Sequence, residues 1–297
     1  MSLKYEELKL PFYRNTRNVF ANLDVSDLAR AAVLAPLNLM LVGNTGTGKT
    51  QLASDLYRHW FGGNLADGGQ GILIRAHPET DIYNEIFTQL NMDKKQRETT
   101  RNIEALVYRV EELNRAPEVS QNQFFGMGDG DMDDRGREIE FGKDGYHIMI
   151  ATANLGNGEF QGTFETDKAM YNRLHVALDL DHEQFKPTDE DRFYIQQQKK
   201  IDPNVKKASL RDISAKILAT SHEISEMTEN PSIEELAVIN YLQLGLENCM
   251  KNGKKGKIWP MDCQDCQHNK NGKALCSFIR EPVERTVEAI RKYAAAL

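Results

Sequence analysis

No stretch of this 297-residue chain approaches the ~18 uninterrupted apolar residues of a membrane span. A spanning helix is therefore not expected. The opening residues MSLKYEELKL lack an apolar core and a small-residue cleavage site, so no secretory leader is expected either. Cysteine is scarce: the chain has four, Cys249, Cys263, Cys266 and Cys276, all in one short segment. In a chain without a leader they point to thiols or metal ligands, not to a disulfide framework, and to a cytoplasmic setting. Positive charge is also in deficit. Lys and Arg number 37 against 44 Asp and Glu, a net charge of -7, which argues against broad non-specific binding of nucleic acid. The length suits a large core domain with a smaller companion.

What is present is concentrated first between Leu41 and Phe61, LVGNTGTGKTQLASDLYRHWF. The octet GNTGTGKT satisfies G-x-x-x-x-G-K-[ST] at Gly43, Gly48, Lys49 and Thr50. Glycines at 43, 46 and 48 allow the tight turn that points successive N–H groups inward at phosphate. Across Asn44, Thr45, Gly46, Thr47, Gly48, Lys49, Thr50 and Gln51 this predicts a nucleoside triphosphate site. Lys49 is expected at the β/γ-phosphates and the Thr50 hydroxyl at Mg²⁺. The flanks agree: LNLML reads as a buried strand, and KTQLASDLYRHWF continues as a helix whose N-terminus favours anions.

Downstream, Ala105 to Phe125 reads ALVYRVEELNRAPEVSQNQFF. Ile103, Leu106, Val107, Val110 and Leu113 have helical spacing, yet ALVYRV also has the composition of a strand, and periodicity leaves both open. Glu111 and Glu112 close the apolar run. A P-loop ATPase needs an acid there to support Mg²⁺ and a second to polarise the attacking water.

On these residues the chain resembles the MoxR group of AAA+ ATPases, in which an Asp-Glu pair precedes Ile-Asn-Arg-Ala-Pro. The resemblance implies the metal-side role for Glu111 and the catalytic role for Glu112. The Asp-to-Glu departure at 111 bears on turnover more than on binding. Further along, YHIMIATANLGNGEF ends a strand at Asn154, which resembles the residue that senses the γ-phosphate. DKAMYNRLHVALDLD resembles the segment of the arginine finger and places it at Arg173, to act on a neighbouring subunit. The likeness covers roughly residues 20 to 185. It implies Mg²⁺-dependent ATP hydrolysis in a homo-oligomeric ring, a hexamer by family habit. The work implied is chaperone-like remodelling of a protein client, with a von Willebrand factor A-type partner.

Between these motifs, REIEF, GKDG and YHIMI predict a hairpin. Asp129, Asp131, Asp133 and Glu140 fall at positions 1, 3, 5 and 12 of a calcium-loop pattern. Asp134 stands where that loop needs glycine, so DGDMDDRGREIE is read as a flexible acidic loop. After residue 185 a polar connector is expected. Helices are then expected in LRDISAKILATSHEISEM, in SIEELAVINYLQLGLENCM with Ser232 and Glu235 at capping-box spacing, and in EPVERTVEAIRKYAAAL behind Pro282. The resemblance implies a late arginine at the γ-phosphate, and Arg280 and Arg285 both qualify by position. The cysteine spacing C-x13-C-x2-C-x9-C suits Zn²⁺ in a Cys₄ tetrahedron or an iron–sulfur cluster, with His268 an alternative zinc ligand.

The expected architecture is α/β: a P-loop AAA+ doubly wound parallel sheet with a C-terminal helical lid that carries a Cys-rich knuckle. Its divisions are an N-terminal extension (1–20), the nucleotide-binding domain (21–186), a connector (187–208) and the lid (209–297) with the insertion 249–276. Two other functions compete. One is a nucleic-acid motor or loader, favoured by KNGKKGK at Lys251 to Lys257. The other is an ATP-binding switch that does not hydrolyse.

Overall fold

A computed structural model describes residues 3–87, 97–134, 136–154, 168–198, 204–247 and 284–297. The four cysteines, His268, Pro282 and Arg280 lie outside the described residues, as does the side chain of Arg285. The chain divides into two compact units, Met1–Glu223 with Ala296–Leu297, and Ile224–Ala295.

The first unit is built on a sheet of five parallel strands: β1 (Leu39–Val42), β2 (Gly71–Arg75), β3 (Val107–Glu111), β6 (Ile148–Ala153) and β7 (Val176–Asp179). Their order is β2-β3-β6-β1-β7. LMLV and IMIATA are buried along their whole length, as strands covered on both faces must be. Alternation assigns the faces. Met40, Val42, Ile72, Ile74, Tyr108, Val110, Met149 and Ala151 enter one core cluster with Ile82 and Ile86 of α3 (Ile82–Ile86) and with Phe124, Met127 and Phe141. The opposite face meets α2 (Lys49–Phe61), whose Leu52, Leu56 and Trp60 are fully buried. This mixed α/β arrangement around a parallel sheet fits a P-loop ATPase-like fold.

The order of the strands decides what can meet. β6 lies between β1 and β3, with Val42 opposite Ala153 and Val107 opposite Ile148. The loop after β1, the carboxylates ending β3 and Asn154 after β6 therefore share the carboxyl edge of the sheet, where open α/β sheets bind ligands. The ambiguity over ALVYRV is resolved as strand β3.

Two readings need correction. GKDG does form a tight antiparallel turn, with Lys143 N–H donating to Tyr146 O at 3.1 Å and Tyr146 N–H to Lys143 O at 3.0 Å, but REIEF and YHIMI do not pair along their length. Arg137–Glu140 (β5) instead pairs antiparallel with Asp131–Asp134 (β4), and Ile148–Ala153 belongs to the core sheet. Asp131–Asp134, expected to belong to a flexible acidic loop, is consequently a strand. Among the described residues no group of His, Cys, Asp or Glu is placed to hold a metal ion. The stretch expected as a connector also contains a helix, α7 (Asp189–Gln198).

α8 (Ser214–Glu229) runs from the first unit into the second. In the second unit the described residues are helical, with α9 (Ile233–Glu247) and a C-terminal helix, Glu284–Ala296. The expected capping box forms: Ser232 N–H donates to Glu235 Oε2 at 2.8 Å, and Glu235 N–H to Ser232 Oγ at 3.1 Å. Among the described residues no helix is long and apolar enough to cross a membrane.

Candidate active site at the carboxyl edge of the sheet

The glycine spacing of the loop 43–50 has a direct steric cause. Gly48 has φ 97°, and a Cβ there would lie 3.2 Å from the Tyr13 ring. Only glycine meets both conditions. α2 begins at Lys49, so its free N–H groups face the loop. Lys49 is 7% exposed, and its Nζ donates to the carbonyls of Gly43 and Asn44, each at 2.6 Å. Burial pulls its pKa down, against the attraction of Asp181 and Glu112. Asp181, just beyond β7, accepts the Asn44 N–H at 2.5 Å. The lysine is thus satisfied by the loop's own carbonyls.

Over this loop opens a cavity of about 580 Å³, within the range of small-molecule sites. Thr45 to Gln51, Glu112, Thr152, Asn154 and Asp181 line it. Glu112 lies in the left-handed region (φ 56°, ψ 45°), and its N–H donates to Thr152 Oγ1 at 3.0 Å. That non-glycine conformation costs about 1 kcal/mol or more, and the bond across to β6 holds it. The Glu112 carboxylate pairs with Arg115 Nε at 2.9 Å. Asn154 is fixed through its backbone: Asn114 Nδ2 donates to Asn154 O at 2.7 Å, and Asn154 N–H to Asn114 Oδ1 at 3.4 Å. Lys49, Thr50, Glu112 and Asn154 are thus gathered at one cavity.

Glu111 and Arg173 are not. Glu111 faces α2, where Oε1 accepts from Arg109 Nη2 and Oε2 from Arg75 Nε at 3.1 Å. It is absent from the cavity lining. Tested against the Mg²⁺ expected there, Thr50 fits as a cavity-lining hydroxyl. Glu111 does not fit, since guanidinium N–H groups already engage both its oxygens. Arg173 stands at the other end of the sheet. Its carbonyl accepts from Asn38 Nδ2 at 2.9 Å, and Asn38 precedes β1. The length of β1, about 13 Å at strand rise, separates Arg173 from its own loop. Its Nε and Nη2 both donate to one oxygen of Asp129, Oδ2, each at 2.7 Å, and the guanidinium lies 4.3 Å over the Phe125 ring.

Sequence reasoning missed the remaining wall. Phe12, Tyr13 and Arg14, expected to be mere extension, line the cavity, together with Ile195, Gln196, Asn204, Val205 and Lys206. Two buried carboxylates hold the N-terminal segment. Asp55 of α2 accepts the N–H groups of Phe12 and Tyr13 at 2.9 and 2.6 Å. Asp191 of α7 accepts from Arg14 Nε at 2.9 Å, from Thr16 N–H at 2.8 Å and from Thr188 Oγ1 at 2.7 Å. Gln51 completes the enclosure by exchanging hydrogen bonds with the Lys206 backbone, both at 2.9 Å. One signal was available. Thr188 and Asp191 have capping-box spacing, and Asp191 N–H donates to Thr188 Oγ1 at 3.1 Å.

Burial raises the Asp191 pKa, but the hydrogen bonds from Thr16, Thr188 and Arg14 outweigh it, so the net shift is below the ordinary aspartate value. A depressed folded pKa gives stability that is present above the unfolded value and lost as pH falls through the folded one. The clasp should therefore loosen only below the ordinary carboxylate range. Asp191→Ala strands several donors and should cost about 2 kcal/mol. Urea denaturation and the rate of limited proteolysis ahead of residue 20 measure the two consequences. Unchanged values in both would remove Asp191 from this role.

No family model matches the chain, and no curated protein matches it. Among solved structures, that of a candidate ATPase from Cytophaga hutchinsonii is similar to it, with a TM-score of 0.52 and 16% sequence identity. The likeness covers 75% of this chain and 63% of that one. At this identity it speaks to the fold, and this chain spans less than two thirds of the structure it matches.

Proposed function

We propose that the chain binds and hydrolyses ATP as an AAA+ ATPase of the MoxR type, remodelling a protein client. The observation that carries the reading is the meeting of Lys49, Thr50, Glu112 and Asn154 at one cavity over a P-loop. The phosphates enter where loop N–H groups and the end of α2 face them. Lys49 exchanges two loop carbonyls for phosphate oxygens. Glu112 takes the proton of a water whose oxygen bonds to the γ-phosphorus. The bond from that phosphorus to the bridging oxygen breaks, and ADP leaves with the electron pair. Asn154, fixed by Asn114, holds the water's line of approach. The apolar wall of Phe12, Ile195 and Val205 suits a nucleobase. The cofactors of this reading are ATP and Mg²⁺, with Thr50 the residue that fits the ion.

Arg173 belongs to this reading as a residue acting on a neighbour. It stands a strand's length from its own loop, so it can complete a site only across an interface, and the assembly proposed is a homo-oligomeric ring. A von Willebrand factor A-type partner enters by resemblance alone. Lys49→Ala tests the reading at its base. Removing the buried ammonium should weaken binding of a fluorescent ATP analogue at least about tenfold. Wild-type affinity in that variant, measured by anisotropy, would overturn the assignment of the cavity.

A further inference from the structure

Arg109 lies in the middle of β3, a central strand, where a fixed charge is costly. It is 5% exposed, and a guanidinium does not relieve burial by losing its proton. Its surroundings offset part of that cost, although Nε is buried without a hydrogen-bond partner. Nη2 donates to Glu111 Oε1 and lies 3.4 Å from the Thr50 carbonyl, while the guanidinium carbon sits 5.6 Å over the Tyr57 ring. The Arg109 guanidinium therefore spans the ground between Thr50 and Glu111, the two residues the motif pattern expects to share a divalent cation. Arg75, opposite Glu111 in the register of β2 and β3, takes the other carboxylate oxygen.

We infer that Arg109 is the resident counter-ion of Glu111, so that protein, and not a divalent cation, neutralises the acid at the end of β3. Nucleotide binding then depends only weakly on magnesium. This inference rests on the nucleotide reading of the cavity. Two effects produce it. Each Glu111 oxygen already accepts a charge-assisted hydrogen bond, so a metal-bound water must compete with a guanidinium for it. The ion pair is also close to neutral overall, so it offers a cation little of the attraction that a lone carboxylate would. The phosphate charge is left to Lys49, the loop amides and the end of α2.

The test is anisotropy titration of the full chain with mant-ATP, in excess EDTA and in excess magnesium chloride. For the wild type the two dissociation constants should agree within about threefold. Arg109→Leu frees Glu111, and the preference for magnesium should rise to about tenfold or more. Adding Glu111→Gln to that variant should bring it back down. A wild-type preference of about tenfold that Glu111→Gln abolishes would overturn the proposal, as would an Arg109→Leu preference equal to the wild type's. Because Arg109→Leu alone leaves a carboxylate without its buried partner, urea denaturation of both single variants and the double variant provides a second measure. The double variant should lose less stability than the singles together. Strict additivity would deny the pair and overturn the proposal whatever the nucleotide does. Absence of mant-ATP binding in both solutions, with non-additive stabilities, would sink the nucleotide reading and leave the pair standing.

Discussion

Glu112→Gln should lower ATP turnover about 10²-fold or more, the loss usual for a positioned base, while ATP binding stays close to wild type. The separation follows from the way the residue is held. The backbone of Glu112 is fixed by its N–H donating to Thr152 Oγ1, and its left-handed conformation owes nothing to the carboxylate. Glutamine keeps the length and shape of the side chain but cannot take a proton from water. The phosphate-binding groups, Lys49 and the start of α2, lie on another element. Phosphate release at saturating ATP, set beside the affinity for mant-ATP, gives both quantities. Release near the wild-type rate would take Glu112 out of the chemistry. The pairing of Glu112 with Arg115 engages Oε2 at 2.9 Å, so a water that uses that oxygen must compete with the arginine.

Arg173→Ala should cost about 10³-fold in turnover, the lower end of what an arginine completing a phosphoryl-transfer site contributes, with little change in nucleotide affinity. ATPase rate per chain should rise with protein concentration, because the arginine acts outside its own subunit. The variant also removes two donors from Asp129 Oδ2, so its melting temperature must be measured alongside. Mixing supplies the test that stability cannot imitate. Arg173→Ala chains keep Glu112, and Glu112→Gln chains keep Arg173. An interface between them contains one complete site, and activity should return on mixing. Two inactive populations that stay inactive together would refute action across an interface.

The P-loop was legible because its backbone imposes glycine at fixed places, a demand visible in any sequence that meets it. β1 was legible as an apolar run between polar flanks, and β6 as one broken only by Thr152. β3 was not, because Arg109 interrupts its run, and what makes that arginine tolerable is Glu111 beside it on the same face. The acidic strand Asp131–Asp134 was misread for a related reason. In its register Asp131 faces Glu140 and Asp133 faces Glu138, like-charge pairs that pattern rules count against pairing. Met132 and Ile139, opposite each other on the buried side, hold the pair together. The N-terminal wall was illegible for a different reason. Phe12 and Tyr13 are placed by main-chain hydrogen bonds to Asp55, and Arg14 and Thr16 by Asp191. Contacts between a backbone and a distant carboxylate leave no period in the sequence. Of the candidate site, the residues around the phosphates could be named in advance, and those enclosing the rest of the cavity could not.

The strand order has a further consequence during synthesis. β1 pairs on one side with β6 and on the other with β7, Leu39 opposite both Ile150 and Val176. Neither partner exists until the ribosome has added more than a hundred residues beyond β1, which at ordinary elongation rates takes about 5–20 s. Throughout that interval the apolar tetrapeptide LMLV has two unsatisfied edges and nothing native to pair with. A nascent chain stalled before residue 148 should be a ready client for holdase chaperones and prone to aggregate. Folding of the first unit should begin abruptly, once β6 emerges and gives β1 its first native neighbour.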